Sequence, residues 1–340
     1  MTENDSSATS QAMINTIVAA GTALILLAVG TVFFVSSVRS TPVQADSVSD
    51  STPSSNPLVE GPTSSDPVGL LADAKNLVFV LADDLDWNLF NQVPRLAALK
   101  EQGITFTNHT VTDSLCCPSR VSIMRGQYIH NHKVISNIEK TGGGWPTFRD
   151  RKQENDNLPV WLANAGVTTA LFGKYLNDFP SKPKEAKYIP PGWDQWAVPI
   201  SRGDSYTGYN YTLNDNGTLV RHGNKTSDFL NDVLTNKATQ FIETAQQPFF
   251  LELSTYSPHK PAPVATRNAL KQGGTLAPRN PTYNSYGVDE PKWMKDRTPL
   301  NATRLAKADR QWRQRARSAE SIADSVDAIM AKLKETGRDK

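Results

Sequence analysis

The sequence predicts an α/β domain whose sheet is covered by helices on both faces. Three observations carry this reading. Residues 76–82 (NLVFVLA) and 248–254 (PFFLELS) are nearly continuous apolar runs of strand length, as expected for strands buried on both sides. Leu305, Ala308, Trp312, Ala316, Ala319, Ala323, Val326, Met330 and Leu333 recur at helical spacing along a segment closed by Gly337. Between these, strand-like and helix-like segments alternate, which is the order of an α/β domain.

The elements follow in chain order. Residues 6–38 carry no charge, and residues 13–35 are dominated by Ile, Leu, Val, Ala and Phe. At about 1.5 Å rise per residue such a helix crosses a hydrocarbon core of roughly 30 Å. Residues 1–39 are therefore expected to form a membrane anchor; a signal peptide cleaved near Val43-Gln44-Ala45 is the alternative. Residues 40–72 are rich in Ser, Thr, Pro and Asp, contain no Lys or Arg, and read as a flexible tether. This arrangement predicts a domain held outside the cytoplasm on a membrane, or secreted if the leader is removed.

The folded domain is expected over residues 73–340. The strand at 76–82 is followed by a short strand at 103–108, and Pro118 opens a helix that Gly126 closes. A helix at 157–165 and a strand at 167–172 come next, then the strand at 248–254. In a strand-helix-strand pattern, the long final helix should lead into another strand, yet the sequence stops at Lys340. The domain is thus expected to be incomplete at its C-terminus.

The totals narrow the function classes. Thirty-six Lys and Arg against 34 Asp and Glu leave a formal net charge of +2, which gives no reason to expect a nucleic-acid partner. The only two cysteines are the neighbours Cys116 and Cys117, so there is no disulfide framework. Inert packing, metal binding and reactive chemistry remain open for them. Cys116 stands at the expected start of a helix, where backbone amides attract anions and lower a thiol's pKa, and Arg120 lies in the first turn. Asp83 and Asp84 directly follow the first strand, where ligands of open α/β sheets bind and where paired carboxylates suit a hard divalent cation; a polar loop capping the next helix is the plainer alternative.

Cys116-x-Pro118-Ser119-Arg120 resembles the signature of type I sulfatases, in which the first cysteine is oxidised to formylglycine. The frame fits Cys116 only; read from Cys117, the proline and arginine positions hold Ser119 and Val121. The longer run CCPSRVSIMRGQYIHNHKV is similar to the N-acetylglucosamine-6-sulfatase branch of that family, as are GKYLND from Gly173, PPGWDQW from Pro190 and YNYTLNDNG from Tyr209.

The resemblance implies an alkaline-phosphatase-like fold, a mixed sheet between helices, and hydrolysis of a sulfate ester on an N-acetylglucosamine-type sugar. It implies Asp83, Asp84 and the oxidised Cys116 as ligands of calcium, with magnesium as the alternative. Cys116 would also be the nucleophile, Arg120 its stabiliser, Lys174 a contact to sulfate, and His259 the proton donor to the leaving alcohol. A formylglycine-generating enzyme becomes an implied partner.

From the residues alone, Lys174 is a solvated lysine at a strand end and His259 a turn histidine. His130 and His132 have alternating spacing compatible with a strand face or a metal. Trp193 and Trp196 suit packing better than sugar stacking. The basic run Arg304, Lys307, Arg310, Arg313, Arg315 and Arg317 reads as a solvated helix face, with contact to a sulfated polyanion as the alternative. Asn108, Asn210, Asn216, Asn224 and Asn301 begin glycosylation sequons. The family's Asp-Asn pair, which completes its calcium site, and a further lysine that follows it find no counterpart in this sequence. An inactive remnant that binds sulfated glycans, and a phosphate or phosphonate ester hydrolase of the same superfamily, are therefore the competing functions.

Overall fold

A computed structural model of the chain describes residues 24–28, 34–36, 75–200, 203–285 and 289–339. Seven of the described strands form one sheet, in the order β1 (Leu24–Ala28), β3 (Leu77–Ala82), β9 (Phe249–Thr255), β5 (Thr168–Gly173), β6 (Gln195–Pro199), β7 (Thr212–Asp215) and β8 (Thr218–Arg221). The first five run parallel, and the last two add antiparallel pairings, so the sheet is mixed. A separate antiparallel pair joins β2 (Phe34–Ser36) to β4 (Gly103–Thr105). The helices packed on the sheet include α1 (Trp87–Gln92), α2 (Cys116–Arg125), α3 (Leu158–Asn164), α4 (Leu230–Thr244) and α5 (Ala302–Glu335).

The near-continuous apolar strands are explained by two cores, one on each face. Along β3, Val78, Val80 and Ala82 join Leu234, Phe241 and Ile242 of α4 and Trp312, Ala316, Ile322 and Ile329 of α5. The alternate residues Leu77 and Phe79 join Cys117, Val121 and Met124 of α2 and Leu162 of α3. Each buried Val, Leu, Ile, Phe or Met side chain among these, removed from water, contributes about 1.5–3 kcal/mol. The helix boundaries follow local chemistry. The Asp86 carboxylate accepts from the Leu89 amide at the start of α1, and the Asn301 side chain does the same for Arg304 at the start of α5, both at 3.0 Å. Gly126 ends α2 with φ of 59°, in the left-handed region that glycine adopts without strain. Helix α2 begins at Cys116 itself, earlier than Pro118 suggested, because proline is tolerated anywhere in a first turn.

The expected membrane helix over residues 13–35 lies largely outside the described residues, as does the tether at 40–72. Where that span is described, at Leu24–Ala28 and in the pair Phe34–Ser36, the backbone is strand. There the helix expectation is not met; an unpatterned apolar run is compatible with either element by periodicity alone. Among the described residues no helix is long and apolar enough to cross a membrane.

Register sets up the functional end of the sheet. Ala82 pairs with Thr255, and Gly173 with Ser254, so β3, β9 and β5 finish flush with one another. Behind them α4 locks to α5 through Asn231, whose buried amide donates to the Ser321 carbonyl and the Ser325 hydroxyl, each at 2.8 Å. Asn231→Ala leaves those acceptors short of a donor and opens space between the helices. It is expected to lower the urea-unfolding free energy by about 2 kcal/mol, with little change in far-UV circular dichroism.

Candidate active site

The residue after β3, Asp83, is 4% exposed and carries two buried cations. Its Oδ1 accepts from Arg120 Nη2 at 3.0 Å, and its Oδ2 accepts from Lys174 Nζ at 2.7 Å. Three segments supply the three groups: the end of β3, the second turn of α2 and the residue after β5. Burial opposes ionisation of Asp83, but Arg120 and Lys174 hold its carboxyl below the usual range. Burial likewise opposes both cations, and Asp83 raises the pKa of each above its ordinary value. All three groups stay charged at neutral pH.

Strand β9 completes the framework. Arg120 Nη1 donates to the Lys174 carbonyl at 3.0 Å and to the Ser254 hydroxyl at 2.5 Å, while the Lys174 amide donates to the Ser254 carbonyl at 2.8 Å. Gly173 makes this approach achievable: its φ is 119°, and a Cβ there would lie 1.8 Å from the Ser254 carbonyl oxygen.

Around this ion cluster stand the remaining residues expected at the site. Cys116, half-buried at the first position of α2, offers its sulfur within 4.8 Å of ligand atoms of Asp83 and His259. His259 Nε2 is 3.5 Å from Asp84 Oδ2, and its Nδ1 lies 2.6 Å from the Lys260 carbonyl oxygen. Asp84 has φ of 62°, a left-handed conformation that turns the chain sharply at the strand end. The two cysteines separate cleanly. Cys117 faces the core, fully buried, and burial pushes its thiol up to about 12. Its amide donates to Asn137 Oδ1 at 2.8 Å.

A family model for sulfatases matches residues 75–340. The chain belongs to the sulfatase family. It is 32% identical over 271 residues to the N-acetylglucosamine-6-sulfatase of Capra hircus and 31% identical over 271 residues to that of Homo sapiens. Each alignment covers 77% of this chain and 48% of the relative, so the chain spans about half the length of these relatives. Among solved structures, one described in complex with its substrate D-glucosamine-2-N,6-O-disulfate superposes with a TM-score of 0.56 at 16% identity, covering 78% of this chain and 63% of the other. The mixed sheet between helices is thus the alkaline-phosphatase-like fold of known sulfatases.

Within the sulfatase domain, Asp83, Asp84, Cys116, Arg120, Lys174 and His259 gather at one end of the sheet. Other candidates do not join them. His130 stacks on Tyr128, with ring centroids 5.6 Å apart. His132 is buried between the Val134 amide, which donates to its Nδ1, and Ser122 Oγ, 3.0 Å from its Nε2. Burial pulls His132 down to about 4, so it is a neutral structural group. The two histidines lie on a short helix, Ile129–His132, where residues two apart diverge. Trp193 and Trp196 are buried against each other with centroids 6.3 Å apart. A cleft lined by Thr168, Asp194, Asp215 and Lys237 opens at the opposite, amino-terminal end of β5 and holds none of the site residues.

Several site residues escaped the sequence reading. The Tyr206 ring lies 5.3 Å from Lys174 Nζ and 4.6 Å from the His259 ring. Helix α5 grips both loops at the mouth. Arg315 donates to the Asp84 carbonyl and, at 3.1 Å, to Asp86 Oδ2. Its neighbour Gln314 donates to the Pro261 carbonyl at 2.7 Å, just past His259. Arg313 and Arg317 likewise bond the carbonyls of Thr275 and Lys271. Half of the basic run therefore serves the fold.

Glu252, in the middle of β9, lies beneath the site beside a small cavity lined also by Arg120, Lys174 and Tyr175. Burial pushes its carboxyl up to about 7, against an opposing pull from Arg120. A carboxyl raised in the folded state holds a proton that the unfolded chain has already released, so stability falls as pH rises from the ordinary carboxylate range toward 7. Glu252→Gln is expected to remove that slope. Relative to the parent, it gains on the order of 3 kcal/mol of unfolding free energy at pH 8 and nothing near pH 4; an equal offset at both pH values would refute the assignment. Gly173→Ala is expected to cost more than about 3 kcal/mol in the same measurement, because the new methyl meets backbone rather than a movable side chain.

Proposed function

We propose that the domain hydrolyses sulfate esters on a sulfated sugar of the N-acetylglucosamine 6-sulfate type, with Cys116, oxidised to formylglycine, as the nucleophilic residue. The observation that carries this reading is the Asp83–Arg120–Lys174 ion cluster placed against Cys116 and His259. The relatives named N-acetylglucosamine-6-sulfatase support the sugar. A relative from Drosophila melanogaster named as an extracellular sulfatase, 29% identical over 272 residues, supports a location outside the cytoplasm. A formylglycine-generating enzyme is the maturation partner on this reading.

The chain's own residues account for most of the work. A sulfate monoester brings an anion whose charge must be met in a partly dry site. Lys174 and Arg120 supply fixed positive charge there, and Asp83 keeps both aligned. Arg120 is held by Asp83, Ser254 and the Lys174 carbonyl together, so its guanidinium does not reorganise when an anion arrives. His259 sits at the rim, with Asp84 beside its Nε2, placed to give a proton to the departing alcohol oxygen. Tyr206 walls the site next to both Lys174 and His259. The carboxylate of Asp83, within 4.8 Å of the Cys116 sulfur and a His259 nitrogen, and that of Asp84 beside His259 are hard oxygen donors that would hold a calcium ion, or magnesium in its place, together with an oxygen-bearing Cys116. When bound, such an ion adds charge neutralisation at the sulfate oxygens.

The test separates the two cysteines. Sulfate release from N-acetylglucosamine 6-sulfate and from an aryl sulfate is measured with added calcium, and the state of Cys116 is read by peptide mass spectrometry. Cys116→Ser is expected to lower turnover at least about 1,000-fold, since it lacks the aldehyde hydrate. Cys117→Ala is expected to keep turnover within a few-fold while losing about 1 kcal/mol of stability. Equal loss from both, or full activity with Cys116 unmodified, would overturn the reading.

A further inference from the structure

Residues 291–317 carry nine Lys and Arg against only Asp296 and Asp309. Both acids are already engaged, Asp296 with Lys292 at 2.8 Å and Asp309 with Arg279 at 2.6 Å. Within α5, the structure divides the cations by helical phase. Arg313, Arg315 and Arg317 turn toward loops and bond them. Arg304, Lys307 and Arg310 are exposed, and among the described residues they form no ion pair. At 100° per residue these three, with exposed Gln311 and Gln314, fall within about 120° of one helix face.

That face is continuous with the site. Gln314 holds the loop that follows His259, and Arg315 holds Asp84. From there to Arg304 the helix runs about 15 Å, so the stripe reaches outward from the mouth over a length that one sugar ring does not span. We propose that the exposed face of α5 bearing Arg304, Lys307 and Arg310 is a docking track for a sulfated polysaccharide. It would hold the segment of chain that flanks the sulfate being removed. This rests on the sulfate-ester reading of the site for its biological meaning, and names the substrate class as polymeric. Charge complementarity selects the occupant: a repeating sulfated chain meets each cation of the stripe in turn, whereas a single sulfated sugar reaches only the ion cluster. With a formal net charge of +2 the molecule has no general field for polyanions, so the effect is local to this face.

The test compares the parent with R304Q/K307Q/R310Q and with K307Q/R310Q. Binding of a heparin-derived octasaccharide is measured as a function of salt, alongside a DNA duplex of equal charge, vesicles of anionic lipid, and turnover of N-acetylglucosamine 6-sulfate. The triple variant is expected to bind the octasaccharide at least tenfold more weakly near 0.15 M salt, with the slope of log affinity against log salt reduced by about three, and the double variant by about two. Turnover of the monosaccharide stays within twofold. Unchanged octasaccharide binding in the triple variant overturns the proposal, and so does equal binding of DNA or vesicles through the same residues. Octasaccharide binding that depends on the three residues, in a protein that releases no sulfate, upholds the track and sinks the hydrolase reading instead.

Discussion

One carboxylate with two cations on it organises this molecule. Asp83 joins the end of β3 to α2 through Arg120 and to β5 through Lys174, at 3.0 and 2.7 Å. All three side chains are almost fully withdrawn from water, so each charge is tolerable only because the others are in place. Ser254 and the Gly173 backbone extend the same constraint to β9. The site is therefore a property of the sheet's finished edge and not of any one loop. It exists when β3, β9 and β5 end in register, and a slip of any of these strands would leave a buried charge alone.

The fold was largely legible because its signals are local. Strand length and lack of alternation in residues 77–82 and 249–255 report burial on both faces, and the spacing of Trp312, Ala316, Ala319 and Ala323 reports the face of α5. The disagreement over residues 24–28 and 34–36 has the same origin. In residues 24–28 and 34–36 the composition says only that the segment prefers an apolar environment, and the backbone there is strand. A uniform apolar run carries no phase from which to tell a helix from a strand.

The site was legible where a motif keeps its residues close in sequence, as from Cys116 to Arg120, or where a strand end places a charge, as at Asp83 and Lys174. It was opaque where contacts join distant residues. Arg120 meets Ser254 across 134 positions, and Arg315 meets Asp86 across 229. Tyr206 and Glu252 also reach the site only through folding. A lone serine late in an apolar strand, or one arginine in a basic run, gives no local hint of its partner. The basic run shows this best: evenly charged on paper, it divides into residues turned to the loops and residues turned to solvent only once the helix is packed.

Helix α5 couples two things that sequence variation could otherwise alter independently. Its Gln314 and Arg315 fix the spacing between the Asp84 turn and the His259 loop, while Arg304, Lys307 and Arg310 on the turns before them face outward. A lineage can thus rewrite the outward turns, exchanging one pattern of charge for another, and inherit the inner machinery untouched. Shifting the helix by a single residue would rotate both grips at once. Selection should accordingly tolerate substitutions at the exposed positions 304, 307 and 310 far better than insertions or deletions.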